Sequence, residues 1–147
     1  MEINIVDARE DHLPNIESME KQCFSMPWTI EQLRSQLPDD RHIFLVAERA
    51  RKTVGYVGMT YVLDEGYISN VAVTPECRKQ GIADALIEEL IRRSEAMDLS
   101  FVTLEVRRSN LPAIALYAKH GFEKVAERKN YYDLPREDAI LMTRFLK

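Results

Sequence analysis

Residues 67–86 read YISNVAVTPECRKQGIADAL and contain the junction that decides the fold. The first seven residues are rich in apolar and β-branched side chains and predict a strand, which Pro75 ends. Residues 82–97 follow with the strongest helical pattern of the chain, because apolar side chains recur there every three or four positions. FVTLEV, at 101–106, predicts the next strand. A strand, a helix and a strand in this order predict a crossover that places 67–73 and 101–106 side by side and parallel.

Shorter elements precede this crossover. Strands are predicted at residues 2–6, 43–48 and 54–62. Asp11 can cap a first helix, and Thr29 opens a second helix with Gln32 as its partner in a capping box. The second helix is predicted to end near Leu37-Pro38.

Three further elements are predicted after the crossover. They are a helix at 111–120 and strands at 122–128 and 139–145, with KNYYDLPRED between the two strands as a loop. The resulting order, β-α-α-β-β-β-α-β-α-β-β, indicates a mixed α/β fold whose front half is an antiparallel meander.

Length and composition narrow the class of protein. A chain of 147 residues predicts one domain, here 1–147, and 46% hydrophobic with 30% charged residues is the balance of a soluble globular domain. A net charge of −4 argues against a broad surface for nucleic acid. The two cysteines, Cys23 and Cys77, form neither a disulfide framework nor a zinc site. The sequence has no signal peptide and no apolar run of membrane-spanning length, so we expect a cytoplasmic protein without metal or membrane.

The loop before the long helix predicts an anion site. A helix N-terminus presents free N–H groups and partial positive charge, and Gly81 lets a ligand approach the backbone. Arg78 and Lys79 add charge beside it. The loop matches neither GxxxxGK[ST] nor GxGxxG, which excludes the nucleoside-triphosphate loop and the dinucleotide fingerprint. The alternative is an ordinary basic loop that caps a helix.

Glu105 and Tyr117 are the candidate chemical groups. Strand alternation puts Glu105 on the face opposite Leu104, toward a cleft, and Asn110 can cap the helix that carries Tyr117. Both side chains can then face the crevice between strands 67–73 and 101–106. Two alternatives remain open: Glu105 as a charge partner of a neighbouring arginine (Arg107 or Arg108), and Tyr117 as a core aromatic residue.

Several motifs together resemble a known family. Arg78, Gly81 and Ala83 match [QR]-x-x-G-x-[GA], the acetyl-CoA pyrophosphate loop of the GNAT superfamily of N-acetyltransferases. LEVRRSNLPAIALYAKHGF, NYY, EDAILM and CFSMPWT resemble, in the same order along the chain, the ribosomal-protein alanine N-acetyltransferases of the RimI type. The resemblance implies the GNAT fold: a central, mostly antiparallel twisted sheet, a V-shaped splay between two parallel strands, and helices on both faces.

The resemblance also implies roles for named residues. Glu105 is expected to act as general base, Tyr117 as general acid, and Asn110 as a contact of acetyl-CoA. The remaining acetyl-CoA contacts are expected from Val71, Ala72 and Val73 along the pantetheine arm, and from Arg78, Lys79, Gln80, Gly81, Ile82, Ala83 and Asp84 at the pyrophosphate. Trp28, Tyr131 and Tyr132 are expected to form walls of the substrate site.

The implied substrate is the N-terminal alanine of small-subunit ribosomal protein eighteen. Four acidic residues could meet the basic tail of such a protein: Asp64, Glu65, Glu137 and Asp138. The alternatives are a GNAT enzyme for a small-molecule amine and a non-catalytic acyl-CoA-binding module. We expect no direct nucleic-acid contact and a monomer or weak oligomer.

Overall fold

The computed structural model describes residues 2–147, and its elements follow the predicted order. The strands are β1 (Asn4–Asp7), β2 (His42–Arg49), β3 (Lys52–Val62), β4 (Glu65–Val73), β5 (Phe101–Arg107), β6 (Glu123–Tyr132) and β7 (Glu137–Phe145). The helices are α1 (Leu13–Cys23), α2 (Ile30–Arg34), α3 (Ile82–Ala96) and α4 (Leu111–Lys119). Single turns of 3₁₀-helix lie at Glu10–His12 and Pro75–Cys77.

The described strands form one sheet in the order β1-β2-β3-β4-β5-β7-β6. Every neighbouring pair is antiparallel except β4 and β5, which are parallel because α3 crosses over between them. Only residues 65–67 of β4 pair with β5, opposite 101–103, and the two strands then diverge. The predicted splay between two parallel strands is therefore confirmed.

A bulge in β4 explains where the divergence begins. Gly58 of β3 pairs with Asn70, whereas Met59 pairs with Ile68, so Ser69 is an extra residue in β4. A bulge bends its strand and increases the local twist. Beyond Tyr67, β4 stays paired with β3, and no strand within residues 2–147 pairs with its other side.

Apolar side chains cover both faces of the sheet. On one face, Leu86 and Leu90 of α3 are fully buried, and α4 packs on the same cluster. On the other face, α1 and α2 bury Leu13 and Leu33 against Phe44 and its neighbours. The alternation of strand side chains separates these two clusters, so helices are needed on both faces.

Gly55 allows α3 to lie close to the sheet. A Cβ atom at Gly55 would stand 3.0 Å from the carbonyl oxygen of Ala72 and 3.2 Å from Cγ2 of Ile82. Any side chain here would push the start of α3 away from β4. The close packing therefore sets the distance between the helix N-terminus and the splay.

Two predicted boundaries were wrong. The segment 129–138 is not all loop, because β6 continues to Tyr132 and only 133–136 form the turn. Asn130 adopts a positive φ of 52°, its N–H donates to Asp138, and pairing with β7 holds the strand despite its turn-like composition. α2 ends at Arg34 rather than near Leu37-Pro38, and bonds of the i to i+3 type continue as turns to Leu37.

None of the helices within residues 2–147 combines the length and apolar character needed to cross a membrane.

Candidate active site

The splay between β4 and β5 opens into a cavity of about 550 Å³. The loop from Phe24 to Trp28 forms one wall, and Tyr131 and Tyr132 at the end of β6 form another. Seven of the residues predicted for the site line this single cavity: Trp28, Val71, Glu105, Asn110, Tyr117, Tyr131 and Tyr132. The fold thus brings together residues that lie more than a hundred positions apart in the chain.

Glu105 extends from the predicted face of β5. Its neighbours Leu104 and Val106 are buried in the core, while its carboxylate enters the cavity with 6% of the side chain exposed. Oε2 accepts a hydrogen bond from the Tyr67 hydroxyl, and Oε1 lies 3.2 Å from Nε of Arg128. Two bonded partners in a half-enclosed cleft fix the direction of the carboxylate.

The alternative pairing of Glu105 with a neighbouring arginine was wrong. Arg107 instead lies 3.3 Å from Glu137, and Arg108 lies 3.7 Å from Glu127 and 3.8 Å from Asp138. Arg107 shares a strand face with Glu105, but its guanidinium also donates to the carbonyl oxygens of Asp133 and Pro135 in the turn after β6. Arg128 reaches Glu105 from β6, two strands away in the sheet.

Tyr67 was not predicted as a site residue, although the sequence carried a signal for it. Tyr67 pairs with Thr103 in the parallel register, and Thr103 shares its strand face with Glu105. The predicted crossover therefore implied that Tyr67 and Glu105 are neighbours on one face. Arg128 could not be found this way, because its position depends on the irregular pairing of β6 with β7.

Tyr117 is both a packed aromatic residue and part of the cavity wall. Its ring centroid lies 5.8 Å from that of Phe122 in a tilted arrangement, and only 8% of the residue is exposed. Burial, with a smaller effect from Tyr132, raises the pKa of the Tyr117 phenol above its usual range. The hydroxyl is therefore a protonated donor at neutral pH.

Asn110 joins β5 to α4. Its Oδ1 accepts a hydrogen bond from the N–H of Ala113 at 3.2 Å, which caps α4 as predicted. The side chain also lines the cavity, and its amide nitrogen has no partner within the described residues. The cap thus holds Asn110 still while a donor group remains for a ligand.

Two neighbouring tyrosines, Tyr131 and Tyr132, form a second wall of the cavity, apart from the Phe24–Trp28 loop. The rings of Tyr131 and Tyr132 meet edge to face with centroids 5.0 Å apart. The guanidinium of Arg107 lies 4.4 Å from the Tyr132 centroid, and that of Arg128 lies 5.9 Å from the Tyr131 centroid. Burial and the neighbouring Tyr131 and Glu105 raise the pKa of Tyr132 to about 12.

The loop between β4 and α3 offers a row of free donors. Within the described part of the chain, the backbone N–H groups of residues 79–84 donate to no acceptor, and α3 has no side-chain cap at its N-terminus. Gly81 has a φ of 81°, and a Cβ atom placed there would meet nothing within 4 Å. A helix N-terminus with open space and unsatisfied N–H groups fits an anionic group such as a pyrophosphate.

Several side chains of this loop are engaged within the chain. Arg78 donates from Nε to the carbonyl of Val73 at 3.2 Å and lies beside Cys23. Ile82 is buried in the core, and Asp84 accepts from His120 at 2.7 Å, which with Lys119 lowers the pKa of that carboxyl. Ile82 and Asp84 therefore offer a ligand their backbone N–H groups.

Three of the four acidic residues proposed to meet a basic tail have internal partners. Asp64 accepts from Ser100, Glu137 accepts from Ser109 and Arg107, and Asp138 accepts from Asn130. The hydrogen bonds of these carboxylates stabilise turns and strand ends of the fold. Among residues 2–147, no cluster of three or more His, Cys, Asp or Glu side chains is arranged to hold a metal ion.

Comparison with known proteins agrees with this geometry. The model of the acetyltransferase (GNAT) family matches residues 13–122. The chain is 36% identical over 132 residues to the [ribosomal protein bS18]-alanine N-acetyltransferase of Escherichia coli K12, covering 88% of each protein. It is 33% identical over 148 residues to the Haemophilus ducreyi protein of the same name, covering 89% of this chain and 99% of the relative.

A solved structure of a similar protein has the same fold as this chain. The crystal structure of the ribosomal-protein-S18-alanine N-acetyltransferase from Escherichia coli superposes with a TM-score of 0.92 at 32% identity, covering 99% of this chain and 95% of the other. The family model spans residues 13–122, and the relatives and the solved structure cover 88–99% of the chain. The chain therefore belongs to the GNAT family of acetyltransferases, enzymes that use acetyl-CoA as co-substrate, and resembles within it the ribosomal-protein alanine N-acetyltransferases.

Proposed function

We propose that this protein transfers the acetyl group of acetyl-CoA to the N-terminal α-amine of a protein that begins with alanine, with ribosomal protein bS18 as the first candidate. The observation that carries the proposal is the shared cavity of Glu105 and Tyr117 between two aromatic walls. The names of the relatives at 33–36% identity support the choice of substrate.

Acetyl-CoA supplies the thioester that reacts. The free N–H groups of residues 79–84 would hold its pyrophosphate, and the side of β4 that has no strand partner, at Val71–Val73, would hold the pantetheine arm. The amide nitrogen of Asn110 is a further donor toward the same cofactor. A backbone N–H in Val71–Val73 is the natural donor to the oxyanion that forms at the acetyl carbonyl.

Glu105 has the task of removing a proton from the substrate amine. An α-amine has a pKa of about 7.7–8.0, so roughly a tenth to a fifth is already neutral at pH 7, whereas a lysine amine is about 0.04% neutral. An N-terminal substrate therefore needs only modest help. The carboxylate, held by Tyr67 and Arg128, would accept the proton directly or through one water molecule.

Tyr117 has the task of donating a proton to the leaving group. The amine nitrogen forms a bond to the acetyl carbon, the carbon–sulfur bond breaks, and the sulfur leaves as a thiolate. The proton lost by the amine goes to Glu105, and the thiolate takes the proton of the Tyr117 hydroxyl. The raised pKa of the buried phenol means that Tyr117 carries its proton at neutral pH, as a proton donor must.

The aromatic walls favour a peptide over a small amine. Trp28 on one side and the Tyr131–Tyr132 pair on the other leave a cleft that is open to solvent at the protein surface, where Met26 and Tyr131 are about half exposed. A chain entering this cleft would place its first residue near Glu105 and its following residues between the two walls. A small amine would leave most of these walls unused.

Mass spectrometry of acetylated products tests the proposal. The purified protein is incubated with acetyl-CoA and a panel of peptides that differ only in the first residue, beside free alanine and a polyamine. We expect acetylation of the Ala-initiated peptide at its α-amine, and no product when that amine is blocked. Acetylation of the free amines but of no peptide would replace the proposal with the small-molecule alternative, and no turnover of any amine would favour the acyl-CoA-binding module.

A further inference from the structure

Glu20 is a buried carboxylate that the proposed mechanism does not use. It lies four positions after Ile16 and seven after Leu13, on the apolar stripe of α1, and only 1% of the residue is exposed. Burial of a charge is costly unless hydrogen bonds compensate for the lost water. The presence of Glu20 on this face therefore calls for a reason beyond packing.

Three different parts of the structure donate hydrogen bonds to this carboxylate. The backbone N–H of Trp28 donates to Oε1 at 2.8 Å, and Nδ2 of Asn70 donates to Oε2 at 3.0 Å. The hydroxyl of Tyr56, from β3, also donates to Oε2. Glu20 thus links α1 to the Phe24–Trp28 loop, to β4 and to β3.

Two of these donors belong to the walls of the active-site cavity. Trp28 carries the wall on the loop side, and Asn70 lies in β4 next to the bulged Ser69, where the strand turns away from β5. The loop itself has few other anchors: Phe24 and Met26 are 36% and 58% exposed. Glu17, on the same helix, accepts from the N–H of Ile30 at 2.8 Å, and this bond reaches α2 rather than the loop.

We infer that Glu20 is a positioning residue for the peptide substrate, whose carboxylate fixes the Trp28 loop against β4 and so sets the width of the cleft. The residue acts through Trp28 and Asn70 and does not touch the reacting atoms. The inference rests on the proposed function, because it assumes that a peptide enters between this loop and the tyrosine wall.

The electrostatic surroundings of Glu20 make its charge state variable. No Lys, Arg or His among the described residues forms an ion pair with it, and Tyr56 is its only titratable hydrogen-bond partner. Burial raises the pKa of Glu20 to about 7, although the bonds from Trp28 and Asn70 oppose this shift. The carboxylate therefore accepts all three hydrogen bonds above this pH and takes up a proton below it.

Glu20→Gln is the informative substitution, because it keeps the size of the side chain. If the glutamine oxygen faces Trp28, its amino group opposes the amino group of Asn70; if it faces Asn70, the amino group opposes the Trp28 N–H. In either orientation, the hydrogen bond from Trp28 or the one from Asn70 is lost. Tyr56→Phe is the second variant. It removes only the hydroxyl that donates to Glu20 and leaves the hydrogen bonds from Trp28 and Asn70, so its effect should be smaller.

The matched control is Glu17→Gln. It removes the same charge from the same helix, at a half-buried glutamate whose hydrogen bond reaches α2 and neither Trp28 nor Asn70. Steady-state kinetics are measured for wild type and the three variants with the peptide that the wild type acetylates best, at about pH 6 and about pH 8.5. Calorimetric titration with acetyl-CoA verifies that each variant is folded.

We expect Glu20→Gln to raise the KM for peptide roughly 5- to 20-fold at the higher pH, and Tyr56→Phe roughly 2- to 3-fold, with little change in kcat or in acetyl-CoA affinity. The ratio of variant to wild-type KM should shrink toward one at the lower pH, because the wild-type carboxylate is then protonated too. Titration of the substrate amine is common to all variants and cancels in the ratio. Glu17→Gln should leave the KM unchanged.

Three results would overturn the inference: an unchanged peptide KM in folded Glu20→Gln, a KM ratio that does not depend on pH, or an equal effect of Glu17→Gln. Failure of the proposed function is seen separately, in the wild type alone. If the wild type acetylates no Ala-initiated peptide, the proposed substrate is wrong, and the same ratios are measured with whichever N-terminal peptide it does accept.

Discussion

Glu105 and Tyr117 each belong to the packed fold and also line the cavity in which we propose the reaction takes place. Glu105 belongs to a core strand, yet its carboxylate enters the cavity between the Tyr67 hydroxyl and Arg128. Tyr117 packs on Phe122, yet it also lines the cavity. A role in packing therefore does not exclude a role in the reaction for either residue.

Replacing the two proposed catalytic groups by near-isosteric residues should lower turnover without unfolding the protein. We expect Glu105→Gln and Tyr117→Phe each to reduce kcat by roughly a hundred- to a thousandfold, the usual contribution of a general base or acid. The measurement is kcat at saturating peptide and acetyl-CoA, with circular dichroism as the check on folding. Unchanged turnover in both variants would remove these residues from the mechanism.

The elements with strong local patterns could be predicted from the sequence, and those that depend on distant partners could not. The periodicity of α3 and the alternation of β5 led to the correct crossover, and the cap at Asn110 was correct. The extension of β6 was missed because its turn-like residues are held by pairing with β7. Glu20 was missed because its three partners come from separate elements, although its place on the apolar stripe of α1 was visible.

The loop that begins α3 supplies a prediction at the scale of an element. Gly81→Asp places a carboxylate beside the free N–H groups of residues 79–84, where a Cβ atom has space although the φ of 81° strains any side chain. We expect acetyl-CoA affinity to fall roughly ten- to a hundredfold, because like charges repel across the site. Calorimetric titration measures the change.

Gly81→Ala is the matched control for this substitution. It introduces the same strain at a φ of 81° without a charge, so its effect on affinity should be much smaller. Equal affinity of Gly81→Asp and wild type would mean that the loop does not bind the anionic part of acetyl-CoA. Equal loss in both variants would attribute the effect to the backbone rather than to charge.

For the whole molecule, two buried or paired carboxylates give stability opposite dependences on pH. Burial raises the pKa of Glu20 from 4.5 to about 7, so between these values the folded state binds more protons than the unfolded state, and stability falls as pH rises. Hydrogen bonds from Arg92 and Arg93 lower the pKa of Glu89 to about 2, so its contribution is present above pH 4.5 and is lost as pH falls toward 2.

Urea unfolding of Glu20→Gln beside wild type isolates the first of these effects. We expect the free energy of unfolding of wild type, relative to the variant, to decrease by on the order of 3 kcal/mol between about pH 4.5 and about pH 8, at about 1.4 kcal/mol for each unit of pKa. Glu89→Gln serves as the control, since its difference from wild type should change in the opposite direction and only in more acidic solution. A difference that stays constant with pH for Glu20→Gln would mean that this carboxyl titrates normally.

The three-residue contact between β4 and β5 has a consequence for stability. The sheet consists of two half-sheets, β1–β4 and β5–β7, and among the described strands the only ladder between them pairs residues 65–67 with 101–103. A molecule that hydrogen-bonds to the unpaired edge of β4 would act as an additional strand between the two half-sheets. A co-substrate bound along this edge of β4 would strengthen the contact between the two half-sheets, so we expect the loaded protein to be more stable than the free one.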